Sequence, residues 1–136
     1  MSGNDTIRID LLLFSVGGVH FGADAGQVTG IAVYDGEQAE ELFWFHEKMG
    51  YGDREVVYDS PTVVTIRSDK GSPYRVVIDS MEDIAEFSQD DISLFPAMLE
   101  PFSMRMGMWG ILQRHGEMVL LLDLPRLLKK VILKNN

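Results

Sequence analysis

The apolar residues of this 136-residue chain come in short β-rich runs separated by turn-forming residues. That punctuation fits a small barrel or a pair of barrels better than alternating β and α units. The clearest case is a hairpin, in which Thr62 to Arg67 and Tyr74 to Ile78 flank the turn Ser68-Asp69-Lys70-Gly71-Ser72-Pro73. β-branched runs on both sides of a Gly- and Pro-containing polar turn specify it. A first strand is predicted from Ile7 to Val16, with a turn at Gly17-Gly18 and a return strand opening at Val19 to Phe21. Ile7, Ile9, Leu11 and Leu13 occupy one parity, and the other opens with Arg8 and Asp10 before it also turns apolar, the pattern of a strand whose outer face becomes covered.

The segments between these hairpins are less regular. Ala23 to Val33 is ambiguous: Asp24, Gly26 and Gly30 weaken a regular helix, yet Val28 and Ile31 could seat one short turn on the core. From Glu41 to Met49 a short amphipathic element would bury Leu42, Phe45 and Met49 and leave Phe43 and Trp44 needing another surface. Gly50 to Asp59 reads as a loop, Met81 to Phe87 as a further strand, and Gln89 to Leu99 as irregular chain broken by Pro96. Strands follow at Met108 to Gln113 and Met118 to Leu122. A short final helix opens near Asp123 and Leu124, with Pro125 in its first turn and a stripe of Leu127, Leu128, Val131 and Ile132. One domain is expected over 7–132, with a flexible N-terminus at 1–6 and a tail at 133–136. Its halves echo each other loosely: hairpin, linking stretch, then a strand closing into a short helix.

Composition narrows the function classes. The 46% of hydrophobic residues argues against disorder, and no apolar run approaches the roughly 20 residues that span a bilayer. With no cysteine, disulfides, thiol catalysis and cysteine-based zinc sites are excluded. A net charge of −9 disfavours nucleic acid and anionic membrane as partners. Seven acids and no Lys or Arg lie between Asp79 and Glu100, whereas four basic residues and no acid follow from Arg126 onward. A cytoplasmic location is expected, with neither a signal core nor membrane insertion.

Chemistry-bearing motifs are sparse. His20, His46 and His115 stand at no metal-like spacing, so no metal or other cofactor is expected. Asp79 and Asp123 read as strand-end or cap residues, and no serine sits in a nucleophile elbow. An enzyme would need a polar pocket in which two or more of His46, Asp79, His115 and Asp123 converge. Met104, Met106 and Met108 would share one face of an extended stretch beside Trp109. Core packing is the simpler role for them, and a contact patch is the alternative if Trp109 points outward.

Several segments in order resemble the CheW-like family of chemotaxis coupling proteins. Leu12-Leu13-Phe14-Ser15-Val16-Gly17-Gly18-Val19-His20-Phe21 resembles that family's first hairpin, and Val28 and Ile31 match apolar positions after it. Tyr74-Arg75-Val76-Val77-Ile78-Asp79-Ser80-Met81 resembles the strand ending in an acid. Trp109-Gly110-Ile111-Leu112 and Val119 to Leu128 complete a match over most of Leu11 to Leu128. The resemblance implies a mainly β fold of two small SH3-like barrel lobes around a shared core, with a short C-terminal helix. It also implies a noncatalytic adaptor that couples a chemoreceptor signalling tip, a histidine kinase regulatory domain, or both. The family's central unit is shortened here: only Val33 to Glu41 precedes Leu42-Phe43-Trp44-Phe45-His46-Glu47-Lys48-Met49-Gly50. The first lobe is therefore expected to be incomplete.

Lost strands expose ladder edges and the apolar surface they covered. Leu42, Phe43, Trp44 and Phe45 are thus candidates for a homodimer contact or a specialised partner surface. Met104, Met106 and Trp109 are the second set of protein-binding candidates. The alternative to the coupling role is a divergent regulatory or self-associating module that binds a different protein.

Overall fold

The computed structural model describes residues 7–39, 41–51, 55–68, 71–95 and 106–128. Among the described residues nine strands make two sheets. β1 (Arg8–Val16), β2 (Val19–Asp24), β7 (Met81–Ser88), β8 (Met108–Arg114) and β9 (Glu117–Leu122) form the first, in the order β7-β1-β2-β9-β8. β3 (Val28–Val33), β4 (Leu42–Trp44), β5 (Thr62–Ile66) and β6 (Tyr74–Ile78) form the second, in the order β3-β5-β6-β4. The second sheet is thus an insertion between β2 and β7, and it has four strands where its companion has five.

The Gly17-Gly18 turn closes the first hairpin because both residues take positive φ, +60° and +83°, as a two-residue loop between twisted strands demands. The predicted echo between the halves is present as topology. β4 runs directly into helix α1 (Phe45–Met49) and pairs in parallel with β6. β9 runs into helical residues 124–128 (α2) and pairs in parallel with β2. Asp123 caps α2, its carboxylate accepting the Arg126 N–H at 3.2 Å. Val131 and Ile132 of the expected stripe lie outside the described residues.

Two expectations are corrected. Val28 and Ile31 lie on strand β3 and not on a helical turn, because pairing with β5 outweighs the weak local preference, and only Ala25–Gln27 coils, as a 3-10 turn. The Glu41 to Met49 segment is not one amphipathic element but a strand that switches to helix at Phe45.

The larger sheet is rolled. Ser93 and Ile111 exchange backbone hydrogen bonds of 2.8 Å, which ties the chain beyond β7 to β8, at the opposite end of the strand order. In a flat sheet those strands would stand about 19 Å apart. The link from Ser88 to Ser93 contains the 3-10 turn Gln89–Asp91, which cuts its reach to about 13 Å. Curvature closes that gap. Gly110 permits the approach, since a Cβ there would sit 2.9 Å from the Ile92 side chain. Among the described residues each sheet still has two edge strands, so the lobes are curved sheets with a bridge and not closed barrels.

One core joins the sheets. Leu12, Phe14 and Phe21 from the first meet Val64, Ile66, Val76 and Ile78 from the second, with Phe45 of α1 and Leu124, Leu127 and Leu128 of α2. Phe45 lies edge-on to Phe14 and Phe21 at centroid distances of 5.2 and 4.8 Å. The other parity of β1, Leu11 and Leu13, packs with Leu112, Val119 and Leu121 inside the rolled sheet. That explains why β1 loses its polar alternation partway along.

Asp79, a buried carboxylate, ends β6 where the chain crosses back to the first sheet. It accepts the backbone N–H groups of Ser60 (2.7 Å), Ser80 (3.0 Å) and Asp59 (3.2 Å). It thereby fixes both the approach to β5 and the crossover, where Ser80 holds a left-handed φ of 46°.

Two stability outcomes follow, both read from chemical denaturation of the full chain. Phe45→Ala leaves a cavity at the junction of both sheets and is expected to cost about 3–5 kcal/mol. Asp79→Ala removes the buried acceptor shared by three backbone N–H groups and is expected to cost about 1–3 kcal/mol, while a solvent-face control such as Glu86→Ala stays within about 0.5 kcal/mol.

Candidate protein-interaction site

Consecutive strand residues face opposite ways, and this rule sorts the aromatic segment of β4. Phe43 turns toward the main core, with the Lys48 ammonium 4.4 Å from its ring centroid. Leu42 and Trp44 turn to the other face of the four-stranded sheet, against Val63 and Val77. Leu42 is buried there, whereas Trp44 is half-buried. Phe45 is wholly buried, because the switch into α1 rotates it into the main core. It therefore drops out as a binding residue: it could meet a partner only if the core opened.

Trp44 anchors an aromatic cluster. Its ring stands edge-on to Tyr34 and Tyr58 at 5.1 Å each, and His46 lies at 6.4 Å. The Tyr58 hydroxyl accepts the His46 backbone N–H at 3.2 Å and sits 2.9 Å from its Nδ1. Burial pushes Tyr58 up to about 12, so it remains a neutral hydroxyl at physiological pH. The segment after β3 is clamped over this face by a two-pronged pair from Arg75 to Glu37, at 2.6 and 3.0 Å. The hydrogen bond from Arg75 holds Glu37 below its ordinary value, and Arg75 is raised in turn. Trp44 is thus presented on a braced surface with little freedom left to lose on binding.

The second candidate set is divided by the backbone. Met104 lies outside the described residues. Met106 stands in a turn with Gly107 at φ +76°, and Met108 begins β8 and packs on the main core, so these two do not share an extended face. Trp109 is half-buried against the second core cluster. It borders a groove of about 360 Å³ walled by Ile9, Leu94, Phe95 and Met108, with Asp123 and Arg126 at its polar side.

His46, Asp79, His115 and Asp123 have separate placements. Asp79 binds backbone, Asp123 caps α2, His46 binds Tyr58, and His115 occupies a turn at φ +55°. His20 lies between two carboxylates, Glu117 at 3.0 Å and Glu82 at 3.3 Å, and so ties β2 to both β9 and β7. Among the described residues no group of three or more His, Asp or Glu has the arrangement of a metal site, and no helix is long and apolar enough to cross a membrane. The acidic run on β7 is partly offset by Arg8 near Glu86 (3.6 Å) and Arg114 on Asp83 (3.1 Å).

Sequence reasoning missed Tyr34, Tyr58 and the Arg75–Glu37 clamp. They converge only through the strand order of the second sheet, and no local spacing announces it.

No family model matches the chain, and no curated protein does. Among solved structures, the scaffolding protein TtCheW from Thermoanaerobacter tengcongensis matches with a TM-score of 0.67 at 14% identity, covering 89% of this chain and 92% of that one. This likeness shows a CheW-like, mainly β fold of two lobes.

Proposed function

We propose that this chain is a noncatalytic adaptor that couples signalling proteins in bacterial chemotaxis or a related two-component pathway, acting in the cytoplasm as one domain over 7–132. The observation that carries this reading is the fold likeness to a scaffolding protein along nearly the whole length of both chains. The partners that the reading names are a chemoreceptor signalling tip and a histidine kinase regulatory domain. Trp44 and Trp109 are the anchoring side chains, since large, half-buried groups backed by packed residues concentrate binding energy; Phe43, on the opposite face of β4 from Trp44, and Met106 are further candidates. The acids of β7 form a rim that affects encounter rate and salt dependence more than affinity.

One observation favours a second reading, a self-associating regulatory module. The four-stranded sheet ends in β3, whose outer residues Ile31 and Val33 are exposed.

Titrating the full chain against a receptor signalling tip and, separately, against a kinase regulatory domain by calorimetry decides between them. The adaptor reading expects saturable binding to at least one, weakened about tenfold or more by Trp44→Ala or Trp109→Ala with folding intact. Absence of binding to either by the folded chain would remove the coupling role and leave the regulatory module.

A further inference from the structure

We propose that two copies of this chain pair through the free edge of β3, antiparallel, joining their four-stranded sheets into one. β3 is the end strand of its sheet and is laddered only to β5. The Tyr34 N–H bonds the Pro61 carbonyl at 3.1 Å, which sets the phase of this ladder. Ala32 shares that phase and turns its N–H and C=O toward β5, whereas Ile31 and Val33 turn theirs away. Among the described residues nothing receives them.

Free edges are normally blunted by charge, proline, brevity or a covering bond. Each other edge has such a device. β7 carries Glu82, Asp83 and Glu86, β8 is bridged by Ser93, and β4 has three residues with the Leu42 N–H bonded to Ala39. β3, with the sequence Val-Thr-Gly-Ile-Ala-Val, has no charge and no proline, and its one irregularity, between Val28 and Gly30, leaves Ile31 to Val33 in regular register. Its Ile31 is 41% exposed and Val33 84% exposed. Being two residues apart, they stand on one face of the sheet.

The occupant that fits is a second copy, because the edge is complementary to itself. An antiparallel pairing centred on Ala32 sets Ile31 opposite the second copy's Val33, and Val33 opposite its Ile31, with their outward N–H and C=O groups meeting. The strand ends also complement each other. Exposed Asp35 follows the C-terminal end, while Arg67 lies beside the N-terminal end, its N–H bonded to the Gln27 carbonyl at 2.8 Å. Antiparallel pairing brings the acidic end of one copy toward the basic end of the other, whereas parallel pairing would bring Asp35 to Asp35. Asp24, further back, accepts the Gly26 N–H of its own 3-10 turn, and Asp35 likewise accepts the Glu37 N–H at 3.0 Å while remaining exposed. One strand pair buries far less than the ~1,200–2,000 Å² of a standard interface, so the association is weak, with a dissociation constant on the order of 100 µM.

Sedimentation equilibrium of the full chain up to about 1 mM, paired with amide hydrogen exchange by NMR, tests this independently of any receptor or kinase. The mean mass is expected to climb toward that of a dimer. The Ile31 and Val33 amides should gain protection with concentration, while Ala32 is protected throughout. Val33→Lys, at a solvent-facing position that leaves the core untouched, should weaken association roughly tenfold or more. Asp35→Arg should weaken it too, and adding Arg67→Asp in the same chain should restore it. A constant monomer mass overturns the proposal, as does a dimer whose Ile31 and Val33 amides stay unprotected. Loss of the dimer with Trp44→Ala but not with Val33→Lys would assign self-association to β4 instead. Protection of Ile31 and Val33 only on adding another protein would give the edge to that protein and overturn self-pairing.

Discussion

The contact of Phe45 with Phe14 and Phe21 is the constraint on which the rest depends. Phe14 and Phe21 belong to the first hairpin, and Phe45 begins a five-residue helix that closes the inserted sheet. A helix so short has no stability of its own. It forms because its first residue completes an aromatic core already half-built by the other lobe. Through it the direction of β4 is fixed, and with β4 the parallel pairing to β6 and the outward placement of Trp44. Burying one aromatic of the segment is therefore what presents another.

Regularity decided how much could be read from the sequence. The hairpin of β5 and β6 was legible because both strands are β-branched and flank a turn, so local propensity and tertiary pairing agree. β1 was legible for a second reason: its loss of polar alternation reports burial on two faces, and Leu11 and Leu12 do enter different core clusters. β3 was not. Its glycine and its neighbouring Asp24 and Gly26 weaken any local preference, and only β5 supplies the reason for Val28 to Val33 to be extended. Phe45 failed as a site candidate for a related reason, since an aromatic run in sequence does not reveal where the backbone changes from period two to period 3.6.

The aromatic surface has a comparable history. Trp44 could be named from its bulk and crowding, but the partners that brace it could not. Tyr34 follows β3, Tyr58 precedes β5, and Arg75 lies on β6. They meet because the sheet order sets β6 beside β4, while the chain after β3 and before β5 reaches across that face to Trp44, an arrangement that depends on long-range contacts alone. The same holds for His20, whose two carboxylate neighbours come from strands on either side of its own sheet position. In a fold built mostly from non-local ladders, single residues are legible and constellations are not.

Sheet order also separates the two surfaces of the inserted lobe. β3 and β4 are its opposite edges, about 14 Å apart across three strand spacings. A strand added at β3 would extend the sheet away from β4 and leave the Trp44 face uncovered. Contacts made at opposite edges of a four-stranded sheet do not exclude each other. Its narrowness has a cost at the β3 end: Ile31 and Val33 lie on the core-facing side of the sheet but beyond the point where the core can cover them. The same shortness leaves this apolar edge in water, and the pairing proposed there would keep the Trp44 face open.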